Sequence, residues 1–183
     1  MAIKIIDNCC SLDYLDTLKS VASNSESWNL KYPTGAEDEN RFLKLEIIND
    51  GIKHPLLAGL AMGLLIQIHE ACGQDLFVPH IQFCGISIKD KHRPDNIHSD
   101  YKENSPIVKI LGILNSDWKE EWGGSFFCDG TSNYIKPTSF CIFDGSKPHG
   151  AEEIFTDKKR FAIDFTLFRD QQSLEKTIQR NMK

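Results

Sequence analysis

Positive charge is scarce and scattered in this sequence. Its 21 lysines and arginines are outnumbered by 26 acidic residues, for a formal net charge of -5, and they gather into no basic block. Binding to a nucleic-acid backbone depends on clustered cations, so no DNA or RNA partner is expected. Long apolar runs are missing too. The N-terminus reaches Lys4 and Asp7 too soon for a secretory leader, and no stretch approaches the roughly 20 apolar residues of a membrane span. A soluble, cytoplasmic protein without a membrane partner is expected.

Cysteine pairing is absent as a pattern. The six cysteines contain no C-x-x-C; Cys9 and Cys10 are adjacent, and Cys72, Cys84, Cys128 and Cys141 stand singly among apolar residues. They read as reduced packing thiols, the sharper alternative being a redox or metal pair at Cys9 and Cys10. No polar tract suggests a disordered tail, and 183 residues with 40% hydrophobic content suffice for one core, so residues 1–183 are expected to form a single domain.

What is present divides into a helical part and a β-rich part. Leu12, Leu15, Leu18 and Val21 recur at helical spacing after Ser11, a plausible cap. Residues 23–40 have loop composition with room for a short strand, and the aromatic residues there either pack on the surface or line a substrate entrance. Pro55 opens a second helical run that closes at Gly73, whose small residues Ala58, Gly59, Ala61 and Gly63 suggest close packing on something flat.

From about residue 78 to 169 the pattern becomes short β runs: Ile81 to Phe83, Ile86 to Ile88, Val108 to Leu114, Ser125 to Phe127, Ser139 to Phe143 and Phe161 to Leu167. The expected fold is mainly β within an α+β class, a double-sheet jelly roll supported by N-terminal helices at 11–72, with a short surface helix near 171–179.

Six histidines are present, and His98 stands two residues before Asp100. In an extended segment, residues two apart share a face, so both can address one ion. An H-x-D alone is weak evidence. His149, in Pro148-His149-Gly150 between two β runs, can complete the set, because strands far apart in sequence lie side by side in a jelly roll. Two imidazoles and a carboxylate on one face of an ion leave positions open for reactants, the arrangement of non-haem Fe(II) oxygenases. His54, His69, His80 and His92 read as ordinary helix or loop residues.

Arg160 heads an apolar strand, where an inward guanidinium needs an anion; a dicarboxylate chelating the metal at one end would present the other here. The alternative is an outward, solvated arginine beside Lys158 and Lys159. Trp118 and Trp122 either cover a sheet edge or stack on substrate.

Taken together, H-S-D at 98–100, I-L-N-S-D-W-x-x-x-W-G-G-S-F-F from Ile113, P-H-G at 148–150 and R-F-A-I-D-F from Arg160 resemble the prolyl 4-hydroxylase-type branch of the 2-oxoglutarate and Fe(II)-dependent dioxygenases, including the hypoxia-factor prolyl hydroxylases. The resemblance covers about residues 83–168. It implies a double-stranded β-helix, Fe(II) held by His98, Asp100 and His149, and the 2-oxoglutarate C5 carboxylate held by Arg160. It also implies dioxygen as reactant, ascorbate as accessory reductant, and hydroxylation of a C–H bond in a peptide or small molecule. Retention of Asp100 argues against halogenation. The cosubstrate-binding tyrosines of the family have Ile88 and Ile113 in their places, which leads to the expectation of a more apolar pocket, with Tyr101, Ser87 and Gln82 as candidate substitutes. The segment Lys89 to Ile97, with Arg93, Asp95 and Asn96, is the expected substrate-contacting lid. The competing expectation is a non-catalytic, cupin-like metal- or ligand-binding protein.

Overall fold

In a computed structural model of the chain, the residues described are 3–31, 42–73, 80–91, 94–102 and 107–181. Tyr32, Pro33 and Gly35 of the expected entrance loop, and His92 and Arg93 of the expected lid, lie outside them.

Helix α1 (Leu12–Ser23) begins where Ser11 accepts the Tyr14 amide at 3.2 Å, as its cap position requires. Leu15, Leu18 and Ala22 turn inward, while Leu12 in the first turn stays exposed. Helix α2 (Pro55–Cys72) starts on Pro55, which has no amide hydrogen to leave unpaired, and stops at Gly73, whose φ of 80° favours glycine. Contrary to expectation, α2 is long and apolar enough to cross a membrane by length and composition. In the fold Leu57, Ala58, Ala61, Leu64, Leu65 and Ile68 of this helix are buried, while Leu56, Met62 and Ile66 stay exposed.

The helices back a seven-stranded antiparallel sheet in the order β1-β8-β5-β10-β4-β3-β2, formed by β1 (Lys4–Ile6), β2 (Asn29–Lys31), β3 (Phe42–Asn49), β4 (His80–Lys89), β5 (Ile107–Ile113), β8 (Phe140–Phe143) and β10 (Arg160–Phe168). A smaller sheet, β7-β6-β9, is built from β6 (Phe126–Cys128), β7 (Thr131–Asn133) and β9 (His149–Ala151). A final helix, α3, spans Gln171–Asn181.

Two cores follow from strand alternation. Residues such as Leu45, Ile47, Cys84, Ile86, Ile110, Ile163 and Phe165 pack beneath α1 and α2. On the inner face Ile113, Phe126, Cys141, Phe143 and Ile154 join the two sheets, with Trp118 buried among them. All six cysteines are free thiols, and burial pushes both Cys9 and Cys10 up to about 11, so a reactive pair is not supported.

Two expectations need correction. Residues 11–72 are not purely helical support: β2 is the short strand for which residues 23–40 had room, but β3 was not expected, and both join the main sheet. The alternation of Leu43, Leu45 and Ile47 with Lys44 and Glu46 is the period-2 signal for β3. The two runs at Ile81–Phe83 and Ile86–Ile88 are one ten-residue strand, β4, continuous through Gly85. A Cβ at Gly85 would meet the Phe83 ring at 2.6 Å and the Leu45 carbonyl at 3.1 Å, so the glycine reflects close packing and marks no break.

Candidate metal centre

His98 and Asp100 do not lie in a named strand. The segment they occupy runs antiparallel beside β9, tied at three places: the Asp95 amide to the Ala151 carbonyl at 2.7 Å, His98 with His149 in both directions at 3.0 and 2.8 Å, and the Asp100 amide to the Gly145 carbonyl at 2.9 Å. The reciprocal bridge sets His98 directly opposite His149, and residues opposite one another project to the same face. Sequence separation is thus bridged by one pair of backbone hydrogen bonds.

One ligating atom from each of His98, Asp100 and His149 lies within 4.8 Å of the other two. The Asp100 carboxylate sits between the rings, 3.4 Å from each Nε2. Each imidazole turns its Nδ1 to a backbone carbonyl, Asn96 for His98 and Lys147 for His149, both at 2.7 Å. Nδ1 therefore carries a proton, and each Nε2 faces the common point, where it donates to Asp100 when protonated and could ligate a metal when not. Phe126 and Phe143 wall the buried His149 ring, with centroids 6.0 and 4.9 Å away. Burial pushes the Asp100 carboxyl up, but hydrogen bonds from both histidines and the Lys109 ammonium hold it well below the ordinary carboxylate range.

The three residues open on a cavity of about 250 Å³ between the sheets, which also receives Lys44, Ser87, Lys89, Asp95, Lys109 and Arg160. Arg160 is 4% exposed and points inward, against the outward alternative. Its Nη1 donates to the Gly124 carbonyl, and its Nε is a buried donor without a partner among the described residues. Burial lowers its pKa, opposed by Asp95. Asn115 fixes the head of β10: its side chain donates to the Lys159 carbonyl at 3.0 Å and accepts the Phe161 amide at 2.7 Å. The Trp-Gly-Gly stretch arranges the opposite wall, where the Trp118 indole donates to the Gly123 carbonyl at 3.2 Å and the Gly124 amide to the Glu153 carbonyl at 2.7 Å.

No protein-family model matches the sequence, and no curated protein matches it significantly. Solved structures do match in fold. A Pseudomonas putida prolyl-4-hydroxylase superposes with a TM-score of 0.67 at 17% identity over 92% of both chains. A Trichoplax adhaerens prolyl hydroxylase in complex with a hypoxia inducible factor peptide gives 0.70 at 15% identity over 96% of this chain and 86% of that one. HygX from Streptomyces hygroscopicus, with nickel, 2-oxoglutarate and hygromycin B bound, gives 0.67 at 13% identity over 92% and 83%. The chain has the jelly-roll fold of the 2-oxoglutarate-Fe(II) oxygenases.

Within this oxygenase fold, two sequence expectations about the cavity fail. Ile88 does not face it; the β4 residues that do are its neighbours Ser87 and Lys89, a one-residue offset that reverses the face. Ile113 faces inward but is buried in the core joining the sheets. The cavity combines apolar walls from Phe42, Leu111, Phe126 and Phe143 with the cations Lys44, Lys89, Lys109 and Arg160. Of the suggested substitutes, Ser87 lines it, whereas Tyr101 donates to Gln82 at 3.3 Å in an adjoining recess. The described part of the expected lid is anchored, because Asp95 pairs with Lys89 and accepts the Ala151 amide at 2.9 Å in addition to its backbone tie. Lys44, Lys109 and Asp164 were missed in the sequence, where charged residues inside strands carry no signal of the direction they face; Lys89 and Asp95, expected in the lid, line the cavity itself.

Proposed function

We propose that this chain is a single-domain non-haem Fe(II) oxygenase that couples oxidative decarboxylation of 2-oxoglutarate to hydroxylation of a C–H bond, with prolyl hydroxylase-like architecture. Carrying the reading is the pairing of a two-histidine, one-carboxylate donor set with an unpartnered, buried guanidinium nitrogen in the same cavity. The donor set suits a divalent iron, and the guanidinium suits a dicarboxylate whose second end reaches the metal. His98, Asp100 and His149 would hold the metal. Arg160 would hold the C5 carboxylate, with Lys89 opposite it in the β4–β10 register adding positive potential.

The chemistry that iron and 2-oxoglutarate would supply when bound is the activation of dioxygen, and ascorbate would serve to restore ferrous iron. The protein's residues place the reactants and exclude water: Phe126, Phe143 and Leu111 wall the site, and Nδ1 hydrogen bonds fix both imidazoles. The substrate is a small molecule or a peptide, as in the solved structures of like fold that hold hygromycin B or a peptide fragment. Six free thiols suit a reducing compartment, which supports a cytoplasmic location. A non-catalytic cupin-like role is disfavoured by Arg160, since a metal-binding module has no use for a buried cation facing its ion.

Anaerobic Fe(II) titration with and without 2-oxoglutarate, followed by succinate detection on admitting air, tests the assignment. A 2-oxoglutarate-dependent visible charge-transfer band and succinate release are expected; tight metal binding with neither would overturn it.

A further inference from the structure

The inward residues of β10 run from Arg160 through Ala162 and Asp164 to Thr166. Past the metal centre the cavity leads into a second, polar recess of about 250 Å³ lined by Lys44, Gln82, Tyr101, Lys109, Asp164 and Thr166, with Phe83 and Asp100 at its sides. Two ammonium groups converge here on one carboxylate. Lys44 Nζ lies 3.7 Å from Asp164 Oδ1 and Lys109 Nζ 3.7 Å from Asp164 Oδ2, both beyond ordinary hydrogen-bond length. Lys109 makes its closer contact, 3.0 Å, with Asp100 Oδ2, while Lys44 rests over the Phe83 ring at 4.4 Å.

Asp100 belongs to the metal donor set. Once its charge serves a divalent cation, Lys44 and Lys109 are left to share Asp164, and one positive charge in the recess lacks a counter-ion. A neutral or cationic occupant would leave that charge uncompensated. A phosphate dianion would exceed it, whereas a carboxylate matches it, and the Tyr101 and Gln82 side chains supply polar groups beside it.

We propose that this recess recognises a carboxylate carried by the substrate, gripped by Lys44 and Lys109, so that the oxidised C–H bond belongs to a carboxylic acid. The proposal rests on the oxygenase reading, because the metal is what draws Asp100 away from Lys109. The carboxylate belongs either to a free amino acid or related small acid, or to an acidic side chain of a peptide.

The test uses the full chain loaded with Zn(II) and 2-oxoglutarate, whose own binding is followed first by calorimetry. Probes are the common L-amino acids, their C-terminal amides, and an acetylated, amidated peptide with one glutamate beside its glutamine counterpart, observed by ligand NMR. At least one acid is expected to bind, with its amide at least about tenfold weaker. Lys44→Met should abolish that preference and Lys44→Arg should retain it, in variants whose circular dichroism shows them folded. Binding by the glutamate peptide alone assigns the carboxylate to a peptide; binding by a free acid assigns it to a small molecule. Equal affinity for acid and amide, an unchanged preference in Lys44→Met, or no acid bound by protein that holds both zinc and 2-oxoglutarate would each overturn the proposal. Failure to bind zinc or 2-oxoglutarate at all would instead strike the oxygenase reading.

Discussion

Gly124 and Arg160 are fitted to each other across the cavity wall. Gly124 has a φ of +73°, its carbonyl accepts from the Arg160 guanidinium, and a Cβ at that position would lie 2.8 Å from Arg160 Nη1 and 3.1 Å from Ile154 Cγ1. The second glycine of the Trp-Gly-Gly stretch thus supplies both a left-handed backbone and the space in which the arginine lies.

Gly124→Ala should therefore cost about 1–3 kcal/mol of stability through backbone strain and displace Arg160. Arg160→Met should remove a charge-assisted contact and weaken 2-oxoglutarate binding by about 1.5–3 kcal/mol, or about 10- to 150-fold. Calorimetric titration of the zinc-loaded proteins gives both affinities, and unaltered affinity in Arg160→Met would remove the arginine from the cosubstrate site.

At the metal, His98→Ala and Asp100→Ala should each abolish succinate formation and reduce divalent metal affinity by at least about tenfold, the loss of one charge-assisted ligand. Competition with a chromophoric chelator measures the affinity. His149→Ala should act likewise, whereas His54→Ala, at the N-cap of α2 and outside the metal centre, should leave it unchanged.

Asn115 supports the site from behind. It is 4% exposed and makes two hydrogen bonds to the backbone around Arg160. Asn115→Ala leaves the Phe161 amide without that acceptor, at a cost of about 1–3 kcal/mol. A lower thermal midpoint together with weaker 2-oxoglutarate binding is expected, and a normal midpoint would refute the clamp.

The Asp95–Lys89 pair gives a pH dependence of definite sign. Burial pushes the Asp95 carboxyl up, but Lys89 and Arg160 together hold it below its ordinary value. Its stabilising contribution is complete above the ordinary carboxylate pKa and is lost as pH falls through the lower, folded value. Lys89 is lowered by burial from an ordinary value of 10.5 and stays protonated through the acid range, adding no slope there. Asp95→Asn, which leaves a buried ammonium poorly paired, should cost about 3–5 kcal/mol at neutral pH and flatten the acid limb of stability. Urea unfolding from pH 7 to 3 measures both effects.

Much of the site was legible because its motifs are local. H-S-D needs only period-2 geometry, P-H-G and R-F-A-I-D-F flank strands visible as apolar runs, and α1 and α2 announce themselves by spacing and by Ser11, Pro55 and Gly73. Less local features were lost. β3 hid in a stretch assigned to helical support, and Ile88 was set in the cavity when the strand turns Ser87 and Lys89 there.

The sequence by itself determined the donor types, the helical supports and the jelly-roll class, since these depend on residue chemistry and on periods of 3.6 and 2. Only the tertiary structure decided which charges meet. Strand register, set by backbone pairing among segments distant in sequence, brought Lys44, Lys109 and Asp164 beside Asp100 and left the Arg160 Nε facing a cavity without a partner among the described residues. Pairing is a non-local property, and a shift of one residue along a strand exchanges its two faces.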